Sequence, residues 1–493
     1  MSGNTHAAYR SFGGLDDAQA KSIAAELATI AGADRVLVGD AARRKHPGDQ
    51  SWLTFIHAHF GKPLNRPDVV VTPTTAAQVS AVMKLATRLR VPVTPVGGAS
   101  GVQGAANANC GGILLDLSAM TRIRALDRLS LTCTVEPGML VMRFEEQLNA
   151  QGLSFTHYPA SAEWASVGGS VAARGSGVLS TRYGNIQDHV LSAEVVLPDG
   201  SIVELPNVPR HGVGPELTQL FIGSEGTLGV ITAVRVKLRQ APAARRFSVF
   251  RFESLAQGIE AGRQIMTSGL RPAVMRLYDH DAATKSLERA VQAGLDGETM
   301  VLMVDGDHPR MIELEGALCD EICVANGARA LDAGIGQTWW DRRYSFYHPP
   351  HAPELPQIWC TMDAVSDFAH IQDLYDKVTR AIRESIEPEW GLSLKTHLSH
   401  WFEWGAMIYP RFGVPEGPDD LDEAVALHDR IVRAAALAAI EAGGVMNDHH
   451  GVGMRLAPHL ESQFGGSGMA LMQSIKSGID PHNILCPGKM GMK

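Results

Sequence analysis

The sequence predicts an α+β protein built from at least two domains, and three observations carry that expectation. At 493 residues the chain exceeds what one ordinary core accommodates, so separate apolar interiors are needed. Residues 66–96, RPDVVVTPTTAAQVSAVMKLATRLRVPVTPV, run strand, Thr-Pro turn, amphipathic helix, strand, which is a β-α-β unit. Farther on, HVLSAEVVLPDGSIVEL sets an Asp-Gly turn between alternating apolar runs, and GTLGVITAVRVKLRQ adds another run of the same kind.

Taken in order, residues 15–47 alternate apolar and charged positions at helical period, and the pair Asp16-Asp17 suits a helix N-terminus. After the β-α-β unit, GILLDL and LTCTVEPG read as strands. The helix VMRFEEQLNAQG follows, with Gly152 as its expected C-cap. APAARR, starting at Ala241, reads as a linker. From Phe247 to about Pro410 strands and helices mix evenly. Within that stretch WWDRRYSFYHPPHAPELPQIW (339–359) concentrates aromatics, prolines and histidines, and reads equally as a surface loop or a pocket wall. A long alanine-rich helix lies in DEAVALHDRIVRAAALAAIEAGG. The expected division is an N-terminal helical segment (1–63), a first domain (64–241), a second (242–430) and a C-terminal segment (431–493) that returns to the first domain.

Lys and Arg number 44 against 53 Asp and Glu, a formal charge of -9, which argues against a nucleic-acid partner. No apolar run approaches a bilayer span, and MSGNTHAAYRSFGG lacks the basic flank and apolar centre of a signal peptide, so a cytoplasmic location is expected. Of the six cysteines only Cys319 and Cys323 are close, at helical spacing, and buried, inert thiols are the expectation.

The glycine-rich stretch VPVTPVGGASGVQGAANANCGGILLDL (91–117) follows a strand but does not open into a helix, as a dinucleotide-binding loop of the Rossmann type does. It also has no lysine, which a P-loop requires. What remains is either a plain connection or a turn whose successive N–H groups cradle an anion. Two further segments, ASVGGSVAARGSGVLSTRYGNIQDHV and GSEGTLGVIT, are equally rich in glycine. Three such segments in one domain favour a large cofactor.

VVVTPTTAAQVSAVMKLA, PVGGASGVQG, EPGMLVMRFEEQLNAQG, SVGGSVAARGSG, RYGNIQDHV and LFIGSEGTLGVIT, in this order, resemble the FAD-binding domain of the vanillyl-alcohol oxidase type flavoproteins. The likeness runs from about Arg66 to Gln240. It continues more thinly through MRLYDHD, GAMIYPRF, NDHHGVG and IDPHNILCPGK. The resemblance implies a two-subdomain FAD-binding domain with a mixed α/β cap over the flavin. It implies that Pro95, Val96, Gly97, Gly98, Ala99, Ser100, Gly101 and Val102 hold the FAD pyrophosphate together with Ala160, Ser161, Gly168, Gly169 and Ser176. Pro159, Ala172, Gly177, Tyr183 and Asn185 complete that set, and Glu225, Gly229, Val230 and Ile231 lie along the adenosine and ribose end. Some relatives tether the flavin through a histidine in the first loop. Ala99 and Ser100 stand there in this chain, so non-covalent FAD is expected.

For chemistry the sequence offers DHHGVG, Tyr409 and Arg276. Adjacent histidines in an extended segment point to opposite sides, so His449 and His450 are not expected to serve one ion, while acid/base work, substrate contact and a structural role stay open. Tyr409 is either a core aromatic or a phenol that works on substrate. Arg276 needs an anion, and Asp279 or Asp281 would suffice. Within the superfamily, HLSHWFEWGAMIYPRF followed by DHHGVG is most similar to the alkyl-dihydroxyacetonephosphate synthases. That likeness implies an active-site tyrosine at Tyr409, catalytic histidines at His449 and His450, and an arginine near the flavin at Arg276. Related 2-hydroxy-acid dehydrogenases hold a metal with two histidines seven residues apart and a glutamate before His-Gly. Here Trp404 lies seven residues after His397 and His449 takes the glutamate's place, so no metal site is expected. The chain departs from the synthases in Asp448, in its ending GMK and in the segment YHPPHAPELPQIWCTMDAV. The expected activity is hydride removal from a hydroxyl-bearing small substrate, an alcohol or hydroxy acid. The alternatives are a synthase-like exchange of acyl for alkyl chain and a flavin-binding module without turnover. Expected partners are the small-molecule substrate, oxygen or another carrier as electron acceptor, and a second copy of the chain as a homodimer.

Overall fold

In the computed structural model, which describes residues 14–344 and 355–492, the β-α-β unit is present but its strands are not neighbours. Val69–Val71, the helix Ala76–Leu89 and Val93–Val96 follow in the expected order, and the Thr75 hydroxyl caps the helix by accepting from the Gln78 N–H. Ile113–Asp116 inserts between the two strands, parallel to both, and Val36–Val38 pairs antiparallel at the edge. That edge strand interrupts the stretch 15–47 that reads as helical. The first helix is Asp17–Ala31, opened by an Asp16–Gln19 capping box, and a short helix Asp40–Lys45 follows the strand. Three residues are too few for a period-2 signal to show against a helical background.

A second, antiparallel sheet holds Ile123–Asp127, Thr132–Val135, Val230–Lys237, Val190–Val196 and Ile202–Glu204 in that spatial order. Its hairpin turns at Asp199-Gly200, where Gly200 has φ +83°. The helix Val141–Asn149 buries Phe144 and Leu148 against this sheet. Gly152 lies just beyond it, at φ +74°, and donates its N–H to the Asn149 carbonyl.

The cap is an all-antiparallel sheet ordered Arg329–Leu331, Ala244–Phe252, Glu298–Gly306, Val274–Tyr278, Ser393–Trp401, Gly405–Val414, Ile358–Thr361, with Ala364–Asp367 also paired to Gly405–Val414. Helices including Leu255–Thr267 and Leu421–Glu441 close one core on it through Phe252, Leu277, Met300, Trp401 and Ile408. Each such fully buried side chain contributes roughly 1.5–3 kcal/mol. Gly262 lets its helix lie on Trp401, because a Cβ there would sit 2.4 Å from the indole ring. Cys319 and Cys323 are buried, free thiols in the helix Pro309–Ala325, and burial pushes Cys319 up to about 12.

The chain ends tie these parts together. The carbonyl of Ile484 accepts from Val93 N–H, and Cys486 N–H donates back to the Val93 carbonyl. Buried Lys476 donates to Asp480, the Thr227 carbonyl and the Leu485 carbonyl at 2.6, 2.9 and 2.8 Å. Residues 14–63 contribute to two of the cores. Ile23 and Leu27 belong to the core of the first sheet, whereas Trp52 and Ile56 belong to the cap core. Among the described residues no helix is long and apolar enough to cross a membrane.

Candidate active site

Between the glycine-rich segments and the open face of the cap sheet lies a cavity of about 660 Å³. Its lower wall is Pro95, Val96, Gly97, Gly98, Ala99, Ser100, Gly101 and Val102, then Pro159, Ala160 and Ser161, then Gly168, Gly169, Ala172, Ser176 and Gly177, then Glu225, Gly229, Val230 and Ile231. Tyr183 and Asn185, expected beside the cofactor, are not among these wall residues. Tyr183 is buried and donates its O–H to Asp305 at 2.6 Å, bracing the cap strand, while Asn185 donates its N–H to the Asp188 carboxylate at 3.0 Å to start a short helix.

The residues present fit FAD on two observations. The Ser176 hydroxyl is buried at the cavity without a hydrogen-bond partner among the described residues, a state that a polar ligand resolves. The backbone N–H groups of Ala99, Gly101 and Val102 likewise have no acceptor among the described residues, which is the donor set an anionic pyrophosphate needs. Not every glycine faces the ligand, however. A Cβ on Gly98 would lie 1.7 Å from the Trp164 carbonyl oxygen, and one on Gly168 2.4 Å from Pro137. These two permit backbone to pack on backbone. Gly101 and Gly175 meet protein atoms no nearer than 3.9 and 3.5 Å. Glu225 lines the cavity but turns its carboxylate to the returning chain, accepting from the N–H groups of Val452 and Gly453 at 2.7 and 2.8 Å; burial pushes it up to about 7.

The upper wall follows from period-2 alternation in the cap. Lys395, His397 and Ser399 on one strand, Tyr409 and Arg411 on the next, and Arg276 and Tyr278 on a third all face the cavity. His397 stands opposite both Tyr278 and Tyr409, and stacks on Tyr409 with ring centroids 4.8 Å apart. Arg276 places a terminal nitrogen 2.6 Å from His397 Nε2, so that ring nitrogen accepts; burial, then the charges of Arg276 and Arg411, hold the imidazole neutral. Neither Asp279 nor Asp281, the carboxylates considered as plain structural partners, pairs with Arg276. Asp279 accepts from Ala282 N–H, Thr396 N–H and the Tyr375 hydroxyl, and Asp281 pairs with Lys285.

His449 and His450 do converge, because the chain turns tightly before Gly451 (φ +78°) and is not extended. Their rings lie 4.2 Å apart over Asp363. This buried carboxylate accepts the backbone N–H groups of Asp448, His449 and His450 at 3.1, 2.7 and 3.1 Å on one oxygen, and His450 Nδ1 lies 2.8 Å from the other. An ionised carboxylate only accepts, so His450 carries its proton on Nδ1 and presents the Nε2 lone pair to the Tyr409 hydroxyl at 3.3 Å. Burial holds His450 below its ordinary range and raises Tyr409. His449 Nδ1 sits 3.0 Å from Asp448 and 3.1 Å from Asp363; burial opposes its charge, but the two carboxylates outweigh burial and raise it. His400, also on Asp448 at 2.9 Å, is held down at about 4 by burial. Asp363, His449 and His450, and likewise His400, Asp448 and His449, bring ligand-type atoms close enough for a metal ion, so the expectation that adjacent histidines cannot serve one ion does not describe this geometry.

Asp363, His400, Lys395 and Arg411 were not singled out by sequence reasoning, although the alternation in SLKTHLSH and IYPRF carries the signal for the last two. His157 was missed as well. It lines the cavity with both ring nitrogens unpartnered among the described residues and is held down at about 3 by burial, then by His400 and His449. Arg343 and Trp359, at the two ends of the aromatic segment, line the cavity too, while 345–354 lie outside the described residues.

A glycine-lined FAD cradle roofed by a cap of this topology defines an FAD-linked oxidase, and the chain belongs to that family. Residues 241–490 match the model for "FAD linked oxidases, C-terminal domain", and residues 67–206 match that for "FAD binding domain". An alkyldihydroxyacetonephosphate synthase of Caenorhabditis elegans is 27% identical over 467 residues, 88% of this chain and 78% of the relative. The mitochondrial D-lactate dehydrogenase [cytochrome] of Arabidopsis thaliana is 29% identical over 436 residues, covering 87% and 74%. The solved structure of p-cresol methylhydroxylase with substrate bound superposes with TM-score 0.78 at 18% identity, over 97% of this chain and 98% of that one, which places the fold in the vanillyl-alcohol oxidase type.

Proposed function

We propose that the chain oxidises a hydroxyl-bearing small molecule, an alcohol or hydroxy acid, by hydride removal from the carbinol carbon. When bound, FAD would supply the two-electron acceptor, held non-covalently by the Pro95–Val102 loop and Ser176. The observation that carries the reading is the series Tyr409, His450, Asp363 at the cavity wall. Asp363 fixes the Nδ1–H tautomer of His450, which leaves Nε2 as the base. The Tyr409 phenol stays protonated, so it takes the substrate hydroxyl proton only as it passes its own to His450 Nε2. The stacked His397 and the Arg276 guanidinium hold the substrate oxygen or a neighbouring anion, and His449, whose cationic form Asp363 and Asp448 favour, supports negative charge developing nearby when protonated.

The test is anaerobic mixing of FAD-loaded protein with a panel of alcohols and hydroxy acids. Bleaching of the flavin with recovery of the ketone or aldehyde is expected. A second reading, chain exchange on a phosphorylated ketone without net redox change, is favoured by the likeness to the synthases over 88% of the chain. Exchange of a labelled chain into alkyl or acyl dihydroxyacetonephosphate, with no bleaching by any alcohol, would replace the first reading by the second.

A further inference from the structure

One feature of the cap wall is not used by the proton path. Lys395 and Arg411 stand directly opposite each other on neighbouring antiparallel strands, both facing the cavity. Like charges in that position repel. Among the described residues neither forms a salt bridge, and Asp281, which acts on Lys395 from the next segment, is paired with Lys285 at 2.7 Å. Burial, then the charges of Arg411, Arg289 and Lys285, hold the Lys395 ammonium below its usual range, and these cations outweigh Asp281. The pair lies two residues along each strand from His397 and Tyr409, a step of roughly 7 Å. It is carried by the cap, whereas the loop fitted to the FAD pyrophosphate is in the other wall.

We propose that Lys395 and Arg411 form an anion-binding subsite for a phosphate or carboxylate borne by the substrate roughly 7 Å from its reacting carbon. The location of that carbon rests on the oxidation reading above; the subsite itself does not. Such a spacing selects against a simple 2-hydroxy acid, whose carboxylate adjoins the carbinol carbon and falls to Arg276. The anion would relieve the repulsion between the two cations and gain charge-assisted hydrogen bonds from both.

The experiment is calorimetric titration of the FAD-loaded protein with inorganic phosphate and, separately, with benzoate, neither of which requires turnover. Saturable binding is expected, weakened about 10- to 100-fold in Lys395→Gln/Arg411→Gln and less than about 3-fold in Arg276→Met, with FAD content and melting temperature of both variants retained. Tighter phosphate than benzoate identifies a phosphorylated substrate, and the reverse a carboxylate. The subsite is overturned by the absence of saturable binding, or by a loss confined to Arg276→Met. It is equally overturned if the double variant keeps its phosphate affinity while the flavin absorbance and reduction potential shift, because the pair then faces the flavin. Flavin bleaching decides the oxidation reading separately, so each can fail without the other.

Discussion

Asp363→Asn isolates the part of the site that, on the proposed relay, sets the direction of proton flow. The carboxylate has two tasks on two oxygens: one accepts three backbone N–H groups at 2.7–3.1 Å, and the other accepts His450 Nδ1–H at 2.8 Å. An asparagine can keep its carbonyl oxygen on the three amides, so the turn at 448–450 should hold. Its NH₂ then faces His450 Nδ1 and can only donate. The imidazole must shift its proton to Nε2, which turns the group opposite Tyr409 from acceptor to donor and leaves the phenol with nowhere to pass its proton. In the serine-protease triad the same change of tautomer costs about 10⁴ in rate, and positioned acid/base groups in general supply about 10²–10⁴. The expected loss here is about 10³- to 10⁴-fold in the anaerobic rate of flavin reduction, or roughly 4–5.5 kcal/mol of barrier. The assay is single-turnover flavin reduction per bound FAD, with ¹⁵N-histidine spectra reporting the tautomer without any substrate. A rate within about 3-fold of wild type in an Asp363→Asn protein whose His450 has shifted its proton to Nε2 would refute the relay.

Tyr409→Phe keeps the ring stacked on His397 and removes only the hydroxyl. It should leave FAD content unchanged and slow flavin reduction about 10²- to 10⁴-fold, whereas a purely packing role predicts lowered thermal stability at an unaltered rate. Acid precipitation should release FAD into the supernatant, since Ala99 and Ser100 offer no tether; flavin retained in the pellet would contradict that. His157 and His400 are held down at about 3 and about 4 against an ordinary value near 6.5, so the stability they contribute as neutral rings is complete above about pH 6.5 and is lost as pH falls toward those values. His449 is shifted the other way and its contribution is lost as pH rises through its raised value. The melting temperature of the FAD-loaded protein should therefore drop from pH 6.5 to 4, and His157→Phe should flatten part of that drop.

The elements with strong periodicity were legible: the helix Ala76–Leu89 behind its Thr75 cap, the hairpin at Asp199-Gly200 and the long helix Leu421–Glu441 behind Asp420 all carry local signals that packing reinforces. Val36–Val38 was not, because its pairing with Val69–Val71 is a long-range choice that three residues cannot announce. Glycines were legible as a class but not by role. Gly98 and Gly168 are dictated by the approach of Trp164 and Pro137, which only the fold brings near. In the cap, Tyr409, His449 and His450 could be picked out by residue type. Asp363 could not, since nothing around it in the sequence marks one aspartate among many, and its importance comes from the turn at 448–450 landing on it.

That landing also brings together a cluster whose spacing suits shared protons or a metal ion. The Nδ1 atoms of His400, His449 and His450 lie 2.8–3.1 Å from carboxylate oxygens of Asp448 and Asp363. Such spacings suit hydrogen bonds between the groups, and two ligands held at about 2.0–2.2 Å from one ion stand a similar distance apart. For a divalent cation to enter, the histidine nitrogens would have to lose the protons they now share with the acids, so its binding would be coupled to proton release. In the present arrangement the two aspartates raise His449 and favour its cationic form, while burial holds His450 below its ordinary range. On the proposed mechanism a protonated His449 would support charge developing on the substrate oxygen, with the proton acceptor His450 on the next residue.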